Sequence, residues 1–365
     1  MTVLAAVVAL IWLYLLLGRG FFWWTREARF ASGPAPRRRV AVVIPARNEA
    51  LLIGRAVASL AAQDYGGPFD IFVVDDHSTD ATAQAACGAN VVAAGPLPDG
   101  WTGKLWAVSE GVRAAAAFRP DYFLFTDADV VHAPGNLSRL VGHAEAGGYD
   151  LASLMVELRC ETLAERALIP AFVFFFLKLY PPHWIASAKH STAGAAGGCI
   201  LIRRDALERI GGIAAIRGEL IDDCALARAV KRSDGRVWLG LTSQARSIRQ
   251  YSTFAEVGRM ISRTAFTQLG YSPLLLAGTV LGMAAIYLLP PVLALGFRSW
   301  LAALAWLMMM AAYAPVLRLY RRSPLWAPAL PLIALFYTAA TVVSAVEYWM
   351  GRGGAWKGRT QAGRR

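Results

Sequence analysis

Three long stretches without a charged side chain follow residue 271 and limit what this chain can fold into. They cover residues 275–296, 299–317 and 325–346, and each is long enough for a helix that crosses a bilayer, which takes about 20 residues. The whole chain of 365 residues is 56% apolar and only 17% charged, below the roughly 25% typical of soluble domains. The sequence therefore predicts transmembrane α-helices over 271–350, in addition to a part large enough for its own core.

The formal charge of +12 is concentrated beside these apolar stretches. Nine basic residues and a single acid, Glu347, follow residue 270, and several of the basic residues form a tail over 351–365. Basic flanks of apolar segments contact anionic headgroups and orient the segments, whereas a nucleic-acid site needs a basic stripe with aromatic side chains. The middle of the chain has no such stripe, so we expect a membrane and no nucleic acid as partner.

The amino-terminal stretch is also uncharged. Residues 1–18 are followed by Arg19, Arg26 and the run 37–39, which predicts an uncleaved membrane anchor over 1–24 with cytoplasmic residues after it. Three crossings after a cytoplasmic domain would put the basic tail outside, against the positive-inside tendency. Pro290-Pro291 would remove this conflict by making the first carboxyl-terminal segment broken or re-entrant, and the sequence leaves both arrangements open.

Short apolar runs alternate with helix-like stretches between residues 40 and 126. Strands are predicted at 40–44, 71–74, 90–94 and 122–126, and helices at 50–63, 81–86 and 104–117. This alternation predicts an α/β fold, with a mostly parallel sheet and helices on both faces. Ligands of such sheets bind beyond the carboxyl ends of the strands, where the polar clusters 45–49, 75–80 and 127–129 lie.

The segment FTDADV at 125–130 ends a predicted strand with two carboxylates, Asp127 and Asp129. Side chains at i and i+2 of an extended chain point to the same side, so both can hold a divalent cation that prefers oxygen ligands. An acidic pair at a strand end is more often a solvated turn, and the motif by itself leaves both interpretations open. A second acidic pair, Asp222 and Asp223, lies at the start of a helical run.

The middle of the chain is less regular. Residues 171–177, AFVFFFL, are too few to cross a bilayer and precede a segment rich in proline and aromatic residues. This pattern predicts either an interfacial element near 168–186 or an ordinary core helix, and periodicity does not distinguish the two. A glycine-rich loop follows at 194–198, before a predicted strand at 199–202.

Five motifs occur in the order and rough spacing of family 2 glycosyltransferases with the GT-A nucleotide-diphospho-sugar transferase fold, and the chain resembles that family. They are VVIPARNEA at 42–50, VVDDHSTDAT at 73–82, GKLWAVSEG at 103–111, FTDADV at 125–130 and IDDCALARAVKR at 221–232. Within the family, GWTGKLWA at 100–107, RTAFTQLGYSP at 263–273 and the membrane tail look like the hopene-associated glycosyltransferases of hopanoid biosynthesis. Carotenoid and ceramide glycosyltransferases are more distant relatives of similar plan.

The resemblance implies a site for a nucleotide-sugar donor, predicted to be UDP-linked. Pro45, Arg47 and Glu49 would line the nucleotide pocket, and Asp75 or Asp76 would accept a hydrogen bond from the uracil N–H. The alternative for the two aspartates is a solvated turn that caps the following helix.

The resemblance also implies how the diphosphate is held. Lys104 would meet it as a point charge, although a surface lysine is the commoner case. Asp127 and Asp129 would hold Mg²⁺ or Mn²⁺, which neutralises the charge on the departing nucleoside diphosphate. His132 lies near enough in sequence to be a further ligand, although a lone histidine is more often packed or solvated.

The pair Asp222-Asp223 matches the acidic motif whose second member is the family's usual base. Asp223 is therefore the candidate that takes the proton from the acceptor hydroxyl in an inverting transfer. The alternative, a charge that pairs with the dipole of a helix amino terminus, is compatible with this role. Gly197 and Gly198 would allow close approach of the acceptor, and a structural turn is an equal alternative.

The chain departs from the family pattern near the end of the domain. Processive members carry Gln-x-x-Arg-Trp there, which neither Gln250-Tyr251 nor Arg263-Thr264 matches. Arg259 or Arg263 would contact the diphosphate instead, and the missing pattern argues against long-polymer synthesis.

Together these features predict a bacterial inner-membrane enzyme with several spans and a cytoplasmic catalytic domain over 38–270. We expect a metal-dependent, inverting glycosyltransferase that moves a sugar from a nucleotide sugar to a lipid acceptor, for which the resemblance implies a hopanoid. The alternatives are a processive polysaccharide synthase, a carotenoid- or ceramide-type lipid glycosyltransferase, and a non-catalytic membrane protein that binds nucleotide sugars.

Overall fold

The computed structural model describes residues 1–30, 37–354 and 357, and the predicted basic tail at 351–365 lies largely outside them. The chain divides into two compact units. The apolar unit comprises Met1–Arg26, Cys160–His183 and Gln250–Ala355. The sheet unit comprises Glu27–Arg159, Trp184–Arg249 and Trp356–Arg365, and Lys357 is the described residue of the last range.

The described elements number eight strands and fourteen α-helices. The strands are β1 (Val40–Ala46), β2 (Phe69–Asp75), β3 (Asn90–Ala93), β4 (Tyr122–Thr126), β5 (Val130–His132), β6 (Leu151–Glu157), β7 (Cys199–Arg203) and β8 (Val237–Ser247). The helices are α1 (Thr2–Leu17), α2 (Ile53–Ala61), α3 (Thr82–Ala85), α4 (Gly103–Ala114), α5 (Asn136–Gly147), α6 (Leu163–Leu179), α7 (Pro182–Ala186), α8 (Arg204–Arg209), α9 (Asp222–Arg232), α10 (Phe254–Gln268), α11 (Pro273–Met283), α12 (Leu289–Gly296), α13 (Trp300–Leu319) and α14 (Leu330–Trp349).

One mixed sheet organises the sheet unit, with its described strands in the order β3-β2-β1-β4-β7-β6-β8-β5. Strands β3, β2, β1 and β4 are parallel neighbours, as the alternation of strands and helices predicts. Strand β7 is antiparallel to β4 and β6, and β5 is antiparallel to β8. The predicted α/β GT-A fold is confirmed. Its sheet is mixed because the strands after β4 have both parallel and antiparallel neighbours.

Strand β1 lies at the centre of the parallel half and is buried at all seven positions. Its neighbours are held in register, because Ala46 pairs with Asp75 of β2 and Val43 pairs with Phe125 of β4. Helix α2 packs Ile53, Val57 and other apolar residues into the same core. As a result β1, β2 and β4 end at one edge of the sheet, and the polar residues after each strand meet there.

Among the described residues, the apolar unit contains three helical segments that are long and apolar enough to cross a membrane: Pro273–Gly296, Trp300–Leu319 and Pro324–Trp349. Helix α1, the predicted amino-terminal anchor, is a shorter apolar helix of 16 residues. Helix α10 also belongs to this unit, although the sequence predicts a boundary at 270. Its Phe266 N–H donates to Ser344 Oγ of α14, 3.0 Å away, which ties it to the last apolar helix.

Two features of the apolar unit bear on the open predictions. The first candidate span changes to π-helical geometry over Ala284–Leu288, directly before Pro290 and Pro291, which cannot donate backbone hydrogen bonds. Helix α6 extends beyond the predicted stretch 171–177, because a capping box of Thr162 and Glu165 starts it earlier. A re-entrant first segment and an interfacial position near 168–186 both stay predictions.

Candidate active site

Lys104 joins two of the acidic motifs at the carboxyl edge of the sheet. It lies in the first turn of α4, whose start is fixed by Thr102 Oγ1 accepting a hydrogen bond from the Leu105 N–H. Its Nζ lies 3.1 Å from Asp127 Oδ1 and 3.0 Å from Asp222 Oδ2. Burial lowers the pKa of Lys104, but the two carboxylates outweigh burial and raise the pKa, so the ammonium stays charged.

Asp223 begins α9 beside Asp222 and is held by backbone donors. Its Oδ2 accepts a hydrogen bond from the Gly197 N–H at 2.9 Å, and its Oδ1 accepts one from the Cys224 N–H at 2.7 Å. Burial and the charge of Asp222 raise the pKa of Asp223 to about 6, although Lys104 and the two N–H donors oppose the shift. A carboxyl with a pKa near neutrality can take up a proton and release it again, as a general base must.

The glycines of the 194–198 loop allow the loop to pass close to these charges. A Cβ atom on Gly197 would lie 3.4 Å from both Asp223 Oδ2 and Lys104 Nζ, and a Cβ on Gly198 would lie 2.9 Å from Val156 Cγ2. A Cβ at Gly198 would crowd Val156, whereas one at Gly197 would meet the two charged groups at ordinary contact distance. Gly198 therefore has a structural reason, and the predicted contact of both glycines with an acceptor stays a prediction.

Asp129 is anchored by residues at the end of β8. Its Oδ2 accepts hydrogen bonds from Ser247 Oγ at 2.7 Å and from Arg249 Nε at 3.1 Å. In the described ranges no group of three or more His, Cys, Asp or Glu is arranged to hold a metal ion. Asp127 and Asp129 carry the type of oxygen ligand that Mg²⁺ or Mn²⁺ takes, and their ligation of such an ion stays a prediction.

His132 does not fit a metal in this arrangement. Its Nε2 lies 3.0 Å from Thr126 Oγ1, and its Nδ1 lies 3.0 Å from Asn136 Nδ2. Burial lowers the pKa of His132 to about 4, so the ring is neutral at physiological pH. Because both nitrogens of the neutral ring are engaged, neither offers a free lone pair, and the predicted ligation by His132 lacks support.

The predicted nucleotide residues lie on the same sheet edge. Arg47 Nη1 donates to the backbone oxygens of Asp76 and His77, which joins the turn after β1 to the turn after β2. Asp76 is fully buried. Asp75 Oδ1 is also buried and has no hydrogen-bond partner among the described residues, which leaves an acceptor for a ligand N–H.

Arg249 connects Glu49, a predicted nucleotide-pocket residue, to Asp129, a predicted metal ligand, and the sequence did not point to it. Besides Asp129, it binds Glu49 Oε1 through Nη2. Lys357 reaches the same turn, with Nζ 2.7 Å from Glu49 Oε1 and 3.2 Å from the Asn48 oxygen. The available sequence signal for Arg249 was a positive charge shortly after a strand. Lys357 had no such signal, because it lies far along the chain from Glu49.

One cavity of about 360 Å³, open to solvent, collects most of these groups. Its lining includes Pro45, Lys104, Asp127, Gly197, Asp222 and Asp223. Ile213, Ile216 and Leu226 supply an apolar wall. Arg263 belongs to α10 in the apolar unit, and its contact with a diphosphate stays a prediction.

The sheet thus brings a lysine, Asp127 and the acidic pair Asp222-Asp223 together around one cavity. Residues 41–211 match the family model described as "Glycosyl transferase family 2". The predicted family 2 glycosyltransferase domain is therefore confirmed for that part of the chain.

Similarity to solved structures extends over nearly the whole chain. A mannosyltransferase from Pyrobaculum calidifontis, solved in complex with GDP-Man and Mn²⁺, superposes with a TM-score of 0.51 at 19% identity. The match covers 94% of this chain and 99% of that one. At this identity the likeness concerns the fold alone.

Sequence relatives match shorter parts. A 4,4'-diaponeurosporenoate glycosyltransferase from Staphylococcus aureus (strain USA300) is 41% identical over 96 residues, which are 26% of this chain and 24% of the relative. An uncharacterized protein from Methanocaldococcus jannaschii is 32% identical over 111 residues, 30% of this chain and 44% of that protein. The chain thus spans less than half the length of both relatives.

Proposed function

We propose that this protein transfers a sugar from a nucleotide sugar to a lipid acceptor at the cytoplasmic face of a bacterial inner membrane. The observation that carries the proposal is the position of Lys104 between Asp127 and Asp222, in the cavity that Asp223 also lines. Sequence motifs far apart in the chain thereby supply a phosphate-binding cation, a metal-binding acid and a base at one place.

The donor occupies the sheet edge in this proposal. Asp75 Oδ1, buried and without a described partner, accepts the uracil N–H of a UDP-linked donor. Pro45, Arg47 and Glu49 line the nucleotide pocket, and Lys104 meets the diphosphate with its single positive charge. Mg²⁺ or Mn²⁺ held by Asp127 and Asp129, when bound, supplies the charge that neutralises the departing diphosphate.

Asp223 acts on the acceptor. Its carboxylate takes the proton of the acceptor hydroxyl as the hydroxyl oxygen bonds to the anomeric carbon, and the bond from that carbon to the diphosphate oxygen breaks. Attack from the side opposite the leaving group inverts the anomeric configuration. The N–H groups of Gly197 and Cys224 hold the carboxylate in place for this step.

A lipid acceptor is supported by the apolar unit. Its candidate spans carry large exposed apolar side chains, such as Leu274, Leu281 and Leu295, which lipid solvates better than water. The hopanoid acceptor rests on the sequence resemblance. A carotenoid-type acceptor is the second candidate, because the Staphylococcus aureus relative is named for such a substrate.

The position of Lys357 bears on topology. Lys357 contacts Glu49 within the sheet unit, so Lys357 is on the same side of a membrane as Glu49. An even number of crossings between Arg249 and Lys357 satisfies this condition. Two full crossings and a re-entrant first segment, interrupted at Ala284–Leu288, are the arrangement that we propose.

The test is sugar transfer in membranes that contain the full chain. Radiolabelled UDP-sugars are supplied with a hopanoid or a carotenoid carboxylic acid, and label in the lipid extract is identified by mass spectrometry. We expect lipid labelling that stops on chelation, returns with Mn²⁺ or Mg²⁺, and is lost in Asp127→Ala. Transfer that persists in Asp127→Ala, or label only in long water-soluble polymer, would overturn the proposal.

A further inference from the structure

His132 is a buried neutral imidazole that the proposed chemistry does not use. It is only 5% exposed, and its neighbours Thr126 and Asn136 are each 1% exposed. Its backbone N–H is bonded to Ser59 Oγ at 3.0 Å, which fixes β5 against α2. A buried polar ring is costly to place unless its nitrogens are hydrogen-bonded, as both are here.

The hydrogen bonds around His132 have one consistent direction. Thr126 Oγ1 donates its proton to the Gly198 oxygen at 2.7 Å, so it can only accept from His132, which must carry its proton on Nε2. The amide nitrogen of Asn136 is always a donor, so Nδ1 of His132 accepts. The chain of donors therefore runs from Asn136 through His132 and Thr126 to the Gly198 carbonyl.

The chain of donors ends at the 194–198 loop, which donates a hydrogen bond to the candidate base Asp223. Thr126 fixes Gly198, and Ser153 fixes the other side of the loop, because Ser153 Oγ accepts from the Ala196 N–H at 2.9 Å. Gly197 lies between these two anchors and donates its N–H to Asp223 Oδ2. The direction of that N–H is thereby set by buried side chains on β4 and β6.

We propose that His132 is a positioning residue, which acts through Thr126 and the Gly198 carbonyl to aim the Gly197 N–H at the carboxylate of Asp223. This inference rests on the proposed function for its effect on turnover, but the hydrogen-bonded chain itself does not depend on it. Thr126 directly precedes Asp127, so the same chain joins the metal-binding turn to the base. His132 does not line the cavity, so breaking the chain of donors there leaves the residues that line the cavity in place.

Two matched pairs of variants test the proposal in the full chain in detergent. Thr126→Val removes the hydroxyl at nearly constant volume, whereas Thr126→Ser keeps it. His132→Phe removes both ring nitrogens, whereas His132→Gln keeps an amide donor that can reach Thr126. The measurements are hydrogen–deuterium exchange of the peptide that contains Gly197, kcat and KM for the donor, and the Mn²⁺ concentration for half-maximal activity.

We expect faster exchange at the Gly197 peptide and a fall in kcat of about 10- to 100-fold in Thr126→Val and His132→Phe, because small displacements of a reacting group cost this much. KM for the donor and half-maximal Mn²⁺ should stay within about twofold of wild type, and Thr126→Ser and His132→Gln should recover both exchange and kcat relative to their partners. A rise in half-maximal Mn²⁺ in His132→Phe would instead make His132 a metal ligand.

Unchanged exchange in both Thr126→Val and His132→Phe would overturn the positioning role, and so would equal effects of Val and Ser at position 126. Melting temperatures of all four variants identify a general loss of folding, and His132→Gln keeps the test decisive if His132→Phe fails to fold. If the wild type transfers no sugar, the proposed function fails, and the exchange measurement still decides the hydrogen-bonded chain.

Discussion

The two units use the same apolar residue types in opposite ways. Strand β1 of the sheet unit is buried at every position. In the first candidate span, only 17% of an 18-residue apolar stretch is buried. Leu281 in α11 is 71% exposed. Exposed apolar surface on this scale is unfavourable in water and favourable in a bilayer, so the difference supports the proposed membrane location of the apolar unit.

Hydroxyl groups show the same contrast. In α14, Thr338 and Thr341 donate to the carbonyl oxygens four residues earlier, Ala334 and Tyr337, within one helix. In the sheet unit, Thr126 donates to a carbonyl 72 residues away in sequence. A threonine that satisfies its own helix suits an apolar environment, whereas one that joins distant strands positions functional groups.

The sharpest test of the sheet unit as the site of chemistry is Asp223→Asn. The amide keeps the shape of the carboxylate but cannot take a proton, so kcat should fall by about 10²- to 10⁴-fold while the donor Kd is unchanged. Single-turnover transfer and equilibrium binding of labelled donor measure the two effects. Asp222→Asn is the control with a smaller expected loss, and wild-type turnover in Asp223→Asn would assign the base elsewhere.

Lys104→Met tests whether the charge between the acidic motifs serves donor binding. The change leaves Asp127 and Asp222 without their shared cation and removes a positive charge from the diphosphate, so kcat/KM for the donor should fall by about a hundredfold. Lys104→Arg, which keeps the charge in a different geometry, should recover part of the loss. Equal values for Met and Arg would show that position, not charge, matters at this residue.

The apolar unit is tested by a matched pair of exposed leucines. Leu281→Arg places a charge near the middle of the first candidate span, at a cost of about 3 kcal/mol for insertion, whereas Leu51→Arg alters a residue of the sheet unit that is 92% exposed. Carbonate extraction of membranes should release more of the Leu281→Arg chain and none of the Leu51→Arg chain. Similar extraction of both variants would contradict the proposed membrane location of the apolar unit.

The smallest expected effect is a pH dependence. Asp223 must be ionised to accept a proton, and its pKa in the free protein is raised to about 6, so kcat/KM for the acceptor should fall about tenfold per pH unit below that value. Lys104, whose pKa is raised by its carboxylates, stays charged across this range. The residual activity of Asp223→Asn should lack this acid limb, and an unchanged limb would belong to another group.

Much of the sheet was predictable because its signal is local. Strand β4 was expected at its observed bounds, and β1, β2 and β3 differ from expectation by a few residues at their ends. Strand β5, only three residues long, was missed because such a strand has no periodicity of its own and forms only against β8. The antiparallel return of β7 was also invisible, because direction in a sheet depends on long-range pairing.

The sequence alone predicted that the polar clusters at 45–49, 75–80 and 127–129 lie at one edge of the sheet, because the carboxyl ends of parallel strands coincide. The position of Asp222 and Asp223 beside them followed only from the family resemblance. The sequence also predicted that the carboxyl-terminal segments enter a bilayer, because they are long, apolar and without charge. Only the tertiary structure decided which groups His132, Arg249 and Lys357 contact. Their partners lie on other elements, and a hydrogen bond between distant residues leaves no periodic or local pattern in the chain that encodes it.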